Sequence, residues 1–320
     1  MDRGKKRLVI IELLLAAVCG ICILMMIRSR RGVTNKRIAV VVEDSENEKW
    51  SALRDGINEG AKEKNINIRF VTTGTFDNAS DELDSAEEAV NDGCDVLMVW
   101  PYSKEAVSII KKKKFKVPVI LLGTDSGTSE TTVGFNAFTC GQTLAKSILK
   151  DYDRDLSSKT VGFLTSEKKG YLQSQVKKGV ESALNGSHYT EKFYTGDGTE
   201  KAVRKFLTRT KNRPDILVAL DDSSLSLASD LIASNEDPGT KLYGAGFAPS
   251  NIYQVDMKHI STMVYPEIFR VGYYGIQAAS TVTGFTLRMP ESRTVGCKVL
   301  TNENLFDDDN EEALMTFRQN

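Results

Sequence analysis

Short apolar runs alternate with amphipathic helical segments along most of this chain. The first run, 37–43, carries consecutive β-branched and other apolar residues of the kind that is buried on both faces of a parallel sheet. Segment 46–64 follows with apolar residues at helical spacing, and the two kinds of segment go on alternating as far as residue 122. Because this alternation is typical of strands joined by right-handed helical crossovers, it predicts a doubly wound α/β sheet.

The same alternation starts again at 131–135 and continues to a last predicted strand at 295–300. Two successive α/β series predict two Rossmann-like lobes with a cleft between them. Ligands of such sheets bind beyond the carboxyl ends of the strands. We therefore expect a binding site in the loops that face the cleft.

The N-terminus predicts a membrane anchor. Residues 1–7 are basic, 8–27 are almost wholly apolar, and arginines then end the run. At about 1.5 Å per residue, such a run spans the hydrocarbon layer of a membrane. A cleaved signal peptide is disfavoured because no small-x-small site follows this long run, and a lipoprotein signal because Val18 and Ile21 precede the two cysteines. We predict one retained transmembrane helix, whose orientation the basic residues on both sides leave open.

Composition excludes several classes of function. A formal net charge of −1 argues against a nucleic-acid binder with a broad basic face. The two histidines lie far apart and lack the cysteine–histidine spacing of zinc sites, and no phosphate loop or catalytic constellation is present in the sequence. We therefore expect no enzyme, metal or cofactor. Cys94, Cys140 and Cys297 are scattered, which does not indicate a disulfide framework but leaves a single bridge open.

Several segments, in order and spacing, resemble the type I periplasmic-binding family, which includes ribose- and galactose-binding proteins. The segments that carry the resemblance are RIAVVV at 37–42, WSALRDGI at 50–57, DGCDVLMVWP at 92–101, VPVILL at 117–122, TVGFN at 132–136, PDILVALDD at 214–222 and YGAGF at 243–247. The related lactose-repressor-type regulators carry a DNA-reading helix-turn-helix before the first strand. This chain has the predicted membrane helix there, so no nucleic-acid partner is expected.

The resemblance implies lobes that are discontinuous in sequence and close on a ligand by hinge motion. It gives the following domain plan: a basic end at 1–7, an anchor at 8–27, a linker at 28–36, a binding domain at 37–305 and an acidic tail at 306–320. Within the binding domain, the implied N-lobe is 36–136 with 266–288, and the implied C-lobe is 137–265 with 289–305.

The resemblance also implies ligand-binding positions. Asn47 lies where the family often has an Asn after its first strand, and Trp50 matches an aromatic residue close behind it, although its helical spacing equally favours a core role. Trp100 ends a predicted strand and is a candidate platform for a ligand ring, with plain packing as the alternative. Asp221 matches a ligand-binding Asn or Asp, with helix N-capping as the competing role, which Asp222 could fill instead.

The remaining candidates stand where this sequence departs from the sugar binders. Gly123 replaces an Asp, with Asp125 two residues later, and Gly246 replaces a second Asp. A family Arg near the start of helix 172–184 is missing, which makes Gln175 a candidate. Tyr265 takes the place of a Gln. The departures predict a cleft that is less charged and more aromatic than that of a typical sugar binder.

These features predict an extracytoplasmic, membrane-anchored solute-binding protein of a bacterium. The expected ligand is a sugar or similar small polar molecule, and the expected partner is a transport permease. A ligand-sensing subunit for a membrane histidine kinase is the alternative, because an anchor keeps either protein beside its membrane partner.

Overall fold

The computed structural model divides the chain into two units, Met1–Lys36 and Arg37–Asn320. It describes residues 15, 18–20, 36–124, 131–165, 170–187, 190–195, 203–204, 213–234, 239–282 and 290–314. The predicted anchor at 8–27 therefore lies outside the described residues, apart from 15 and 18–20. Among the helices that are described, none combines the length and the apolar character needed to cross a membrane.

The first part of the larger unit forms a parallel sheet with helical crossovers. Its strands are β1 Arg37–Val41, β2 Asn67–Phe70, β3 Val96–Val99, β4 Val119–Leu122 and β5 Thr131–Phe135, and its helices are α1 Ser51–Lys64, α2 Ala79–Asn91 and α3 Lys104–Lys113. The strand order is β11-β5-β4-β3-β1-β2, in which β11 is the short strand Arg293–Val295 from near the C-terminus. We call this sheet and its helices the N-lobe.

A second sheet follows along the chain and defines the C-lobe. Its strands are β6 Thr160–Thr165, β7 Thr190–Thr195, β8 Ile216–Ala219, β9 Lys241–Ala245, β10 Thr262–Pro266 and β12 Cys297–Leu300, in the order β12-β10-β9-β8-β6-β7. Its helices are α4 Ala137–Asp151, α5 Tyr171–Leu184, α6 Asp222–Ala233 and α7 Pro249–Asp256. All pairings are parallel except that of β12 with β10. The predicted two-lobed α/β architecture is confirmed.

After β10 the chain returns to the N-lobe as a closely packed helix. Helix α8, Ile268–Thr281, follows β10 and packs against α1. A side chain at Gly56 of α1 would overlap the backbone carbonyl of Phe269, so only glycine lets these helices approach so closely. The buried face of α1 includes Leu53 and Ile57, which recur at helical spacing. The returning helix therefore lies on the first sheet, in the lobe that the resemblance implies for 266–288.

Within the described residues the chain passes between the lobes three times, and the crossings are bonded to one another. They lie at Asn136 before α4, at Glu267 before α8 and at Gly296 between β11 (Arg293–Val295) and β12. Glu267 donates its N–H to the Gly296 carbonyl at 3.1 Å, and its Oε2 accepts the N–H of Gly296 at 2.9 Å. The second and third crossings are thus held together by two hydrogen bonds.

A disulfide adds a covalent bond at the same place. Cys140, in the first turn of α4, is bonded to Cys297, the first residue of β12, and their Cα atoms are 6.0 Å apart. This separation is typical of disulfides. The sequence left a single bridge open without identifying it, because the two cysteines lie far apart along the chain and only the fold brings the first and third crossings together.

The structure differs from the sequence-based expectations at three places in the last third of the chain. The implied C-lobe segment 289–305 is split, because β11 pairs with β5 in the N-lobe sheet and only β12 belongs to the C-lobe. Helix α7 was not predicted. The expected acidic tail from 306 is in part ordered, since a short helical segment at 308–314 buries Asn310 and Ala313. Gly296 interrupts the predicted last strand at the crossing, which explains the first of these differences.

Candidate functional site

A cavity of about 260 Å³ lies between the lobes, at the carboxyl ends of strands from both sheets. Its N-lobe wall comes from the loops after β1, β3 and β4, together with one face of α3. Its C-lobe wall comes from the start of α5 and from the loops after β8 and β9. This is where the alternation of strands and helices predicts a ligand site.

Four aromatic rings meet in the wall of the cavity. Trp50 and Trp100 make an edge contact with ring centroids 5.0 Å apart. Phe247, from the loop after β9, lies 5.7 Å from Trp50 and 5.8 Å from Trp100, and Phe135 lies 6.2 Å from Trp100. The Trp50 indole N–H donates to the backbone carbonyl of Glu43 at 2.8 Å, which fixes its orientation. We call Trp50, Trp100 and Phe247 the aromatic cluster.

The position of Trp100 depends on a glycine. Gly123 has a positive φ of +68°, and a side chain there would overlap the Trp100 indole. The glycine that replaces the Asp of the sugar binders therefore provides the space that the indole fills. The indole therefore presents an aromatic surface at this side of the cavity.

Asp221 and Asp222 follow β8 and have different roles. Asp221 caps α6, since its Oδ1 accepts the Ser224 N–H at 2.8 Å, and its Oδ2 accepts the Thr165 hydroxyl at 2.8 Å. The competing role named for Asp221, N-capping, is present, and the residue also lines the cavity. The alternative that Asp222 provides the cap is wrong.

Asp222 instead holds the loop that carries Phe247. Its Oδ1 accepts the N–H groups of Phe247 and Ala248, each at 2.8 Å, and the side-chain amide of Asn251 at 2.9 Å. Burial raises the pKa of Asp222, while these donors and the Lys49 ammonium act in the opposite direction. Sequence reasoning missed this role, because the partners of Asp222 lie 25 or more residues further along the chain.

Charged side chains border the cavity on the N-lobe side. The Lys49 ammonium lies 5.0 Å from the centre of the Trp50 ring, a cation–π contact. Lys104, at the start of α3, lies 6.0 Å from the centre of the Tyr171 ring across the cleft. Gln173, from the C-lobe, and Glu43 are among the other polar residues of the wall. The cavity therefore offers aromatic faces beside a few polar groups, the combination found in small-molecule sites.

The buried side chain of Glu82 contacts the backbone of a residue that lines the cavity. Glu82 of α2 is fully buried, and both of its carboxylate oxygens lie 3.2 Å from the backbone N–H of Tyr102, which lines the cavity. Burial raises the pKa of Glu82 to about 8, the Tyr102 N–H opposes this change, and the Glu43 carboxylate adds to it. The sequence contains no signal for this contact, because Glu82 lies among other acidic residues of an amphipathic helix.

The structure brings together three of the seven predicted site residues, namely Trp50, Trp100 and Asp221. Asp125 lies outside the described residues. Asn47, Gln175 and Tyr265 do not line the cavity.

Each of these three misplaced residues has a physical reason for its position. Asn47 begins the 3-10 turn Glu48–Trp50, where its side chain accepts the Lys49 N–H at 3.1 Å and donates to Asp44 at 2.9 Å. Gln175 lies two residues beyond Gln173, which lines the cavity, so it is on another face of α5. Tyr265 packs in the C-lobe core, because alternate residues of β10 face opposite sides of the sheet.

The two sheets, the three crossings and the cleft define a class, the two-lobed binding proteins of the type I periplasmic-binding fold. The family model described as "Periplasmic binding protein domain" matches residues 38–284, and the chain belongs to this family. The family expected from the sequence is thus confirmed. No curated protein matches the chain in sequence.

Solved structures of sugar-binding proteins share the fold. GanP, a glucose-galactose binding protein from Geobacillus stearothermophilus, is 17% identical with a TM-score of 0.71, over 85% of this chain and 99% of GanP. An ABC transporter solute-binding protein from Agrobacterium vitis, bound with α-D-tagatopyranose, is 14% identical with a TM-score of 0.72, over 87% and 98% of the two chains. A third, from Bacillus halodurans with bound myo-inositol, is 15% identical with a TM-score of 0.70, over 87% and 98%. At these identities the likeness shows the fold.

Proposed function

We propose that this chain is an extracytoplasmic solute-binding protein that closes its two lobes on a small ring-shaped polar molecule, such as a sugar, and hands it to a transport permease. The observation that carries this proposal is the cavity between the lobes, whose wall combines two tryptophans with polar side chains from both sheets. The solved relatives that bind glucose, galactose, tagatose or inositol support this ligand class. The proposal assigns no catalytic activity to the cleft.

We also propose that 8–27 forms a retained membrane anchor that keeps the binding domain outside the cytoplasm. The length and apolar character of this run support a membrane span. The Cys140–Cys297 disulfide supports the location, because structural disulfides form and persist in oxidising compartments and are rare in the cytosol. Anchoring raises the effective concentration of the domain beside a membrane partner.

A thermal-shift screen tests the binding function. Residues 33–320 contain the whole compact unit, so this fragment is mixed with D-glucose, D-galactose, D-arabinose, D-tagatose, myo-inositol and a panel of nucleosides. A ligand at about 100 times its Kd stabilises the folded state by about 2.7 kcal/mol, which corresponds to a rise in Tm of roughly 5–10 °C. If no sugar, polyol or nucleoside raises the Tm, the proposed ligand class is wrong.

Two matched variants assign the response to the cleft. Trp100→Ala removes the aromatic face and is expected to abolish the shift with any ligand that binds there. Asp221→Asn retains an N-cap for α6, since Asn caps helices as well as Asp does. It is therefore expected to keep the Tm of the free protein and to weaken ligand binding. A ligand whose shift survives in both variants binds outside this cavity.

The loss of hydroxyl-binding carboxylates at Gly123 and Gly246 favours a second role, in which the domain reports its ligand to a membrane histidine kinase. Cross-linking of the full-length protein in membranes, with and without the ligand found above, separates the two roles. Adducts with permease subunits support delivery. Adducts with a kinase ectodomain that depend on ligand support sensing.

A further inference from the structure

Phe247 is the one member of the aromatic cluster that comes from the C-lobe. It follows β9, whereas Trp50 and Trp100 follow β1 and β3 of the N-lobe. Its ring contacts both indoles, with centroid distances of 5.7 Å and 5.8 Å. These two aromatic contacts therefore join the lobes directly across the cleft.

The cluster leaves no gap for a second ring. A ring stacked between two aromatic faces needs a contact distance of about 3.5–4.0 Å on each side, so the faces must be at least about 7 Å apart. All three centroid distances within the cluster are shorter, the longest being 5.8 Å. A ligand ring can therefore enter between Phe247 and either indole only if the contact between those two rings is broken.

Two further contacts fix this arrangement. The Asp222 carboxylate accepts the N–H groups of Phe247 and Ala248, so the loop that carries the phenyl ring is anchored to α6. On the opposite side, Gly123 leaves the space that Trp100 fills. The rings on both sides of the cleft are therefore held in place by contacts within the protein.

We propose that Phe247 is an intramolecular competitor for the ligand ring, and that its contacts with Trp50 and Trp100 hold the two lobes closed. The proposal rests on the proposed function, because it gives Phe247 a role in the affinity and selectivity of the same cleft. Two aromatic pairs shift the balance between closed and open lobes by roughly 5- to 150-fold. The apparent affinity for a ligand is reduced in proportion to the fraction of molecules whose lobes are open. A ligand therefore binds well only if its ring replaces the contacts that Phe247 makes with the two indoles.

The experiment uses the ligand-free, full-length protein in detergent. Trp50 and Trp100 are the two tryptophans of the chain, so its tryptophan fluorescence reports on the aromatic cluster alone. Acrylamide quenching measures the access of solvent to these indoles. Hydrogen exchange at Tyr171–Gln173, on the C-lobe rim of the cavity, measures opening of the cleft away from Phe247.

Phe247→Leu is compared with Phe135→Leu. Both variants remove a ring that contacts Trp100, but Phe135 belongs to the N-lobe and only Phe247 crosses the cleft. We expect Phe247→Leu to raise both the quenching and the exchange at Tyr171–Gln173, with a larger effect in Phe247→Ala. Phe135→Leu should leave the exchange at the wild-type level.

Three outcomes would overturn the proposal. In the first, Phe247→Ala leaves both measurements unchanged. In the second, it raises only the quenching, which indicates local exposure of the indoles. In the third, Phe135→Leu raises the exchange at the rim as much as Phe247→Leu does. Far-UV circular dichroism verifies that each variant is folded. This experiment uses no ligand, so its result is independent of the ligand screen. A failed screen would count against the proposed function alone. Lobes that stay closed in Phe247→Ala would count against this inference alone.

Discussion

Replacing Glu82 by Gln is expected to change how the stability of the domain depends on pH. The pKa of Glu82 is raised from its ordinary value of 4.5 to about 8, first of all by burial. Between these two values the folded protein holds a proton that the unfolded chain releases. The free energy of unfolding of the wild-type protein therefore falls as the pH rises through this window, and the full loss is reached above pH 8.

The size of the effect follows from the two pKa values. Each pH unit inside the window costs about 1.4 kcal/mol, so between pH 5.5 and 8.5 the wild-type protein loses about 3 kcal/mol through Glu82. Glu82→Gln keeps the shape of the side chain and an oxygen that accepts the Tyr102 N–H, but it cannot ionise. The variant should therefore gain about 3 kcal/mol relative to the wild type between these pH values.

Urea unfolding followed by tryptophan fluorescence, at several pH values for both proteins, measures this difference. The histidines and other ionisable groups are common to both proteins, so their contributions cancel in the comparison. Glu43→Gln is a second control, because removing that nearby charge should lower the pKa of Glu82 in the folded protein and thus lower the upper end of the window. Parallel stability curves for wild type and Glu82→Gln over this range would refute the reasoning.

Three further predictions concern the disulfide, the glycine under the indole and the anchored loop. Cys140→Ser should lower the free energy of unfolding by about 2–5 kcal/mol, and reductant should lower that of the wild type to the same level in urea titrations. Gly123→Ala should lower the free energy of unfolding more than Gly186→Ala, because Gly186 also has a positive φ but has open space around it. Only Gly123→Ala should shift the tryptophan emission, by displacing Trp100. Equal losses of stability and equal spectra would contradict the contact between Gly123 and Trp100. Asp222→Ala should lower the free energy of unfolding by about 1–3 kcal/mol in thermal or urea unfolding, because it leaves buried N–H groups without an acceptor. Asp222→Asn should lower it much less. Equal losses in the two variants would argue against the anchoring role of Asp222.

The sequence predicts the sheets better than their ends. Uninterrupted apolar runs such as 37–43 are long enough to identify strands that are buried on both faces. The last predicted strand, 295–300, could not be assigned correctly from its own sequence. Gly296 divides it between two sheets, and the residues with which each half pairs lie more than 30 positions away along the chain. Helix α7 is only eight residues long and begins at Pro249, so its pattern is too short to show helical spacing.

For the site, local patterns predict positions and fail to predict partners. Trp100 and Asp221 could be identified because each ends a strand, and the carboxyl ends of parallel strands face the cleft. Phe247, Asp222 and Glu82 could not, since their roles depend on contacts with residues from distant parts of the chain. Tyr265 failed for a related reason, as the face of β10 that lines the cleft depends on a register that the resemblance does not fix.

The bond between Cys140 and Cys297 has a consequence for how the protein tolerates damage. It closes a loop with a sequence separation of 157 residues, which includes most of the C-lobe. A protease that cuts once inside this loop would break the backbone but release no fragment. The clipped protein would run as one band on a non-reducing gel and as two after reduction. After a first cut in this loop, the two pieces of the chain would thus stay covalently joined.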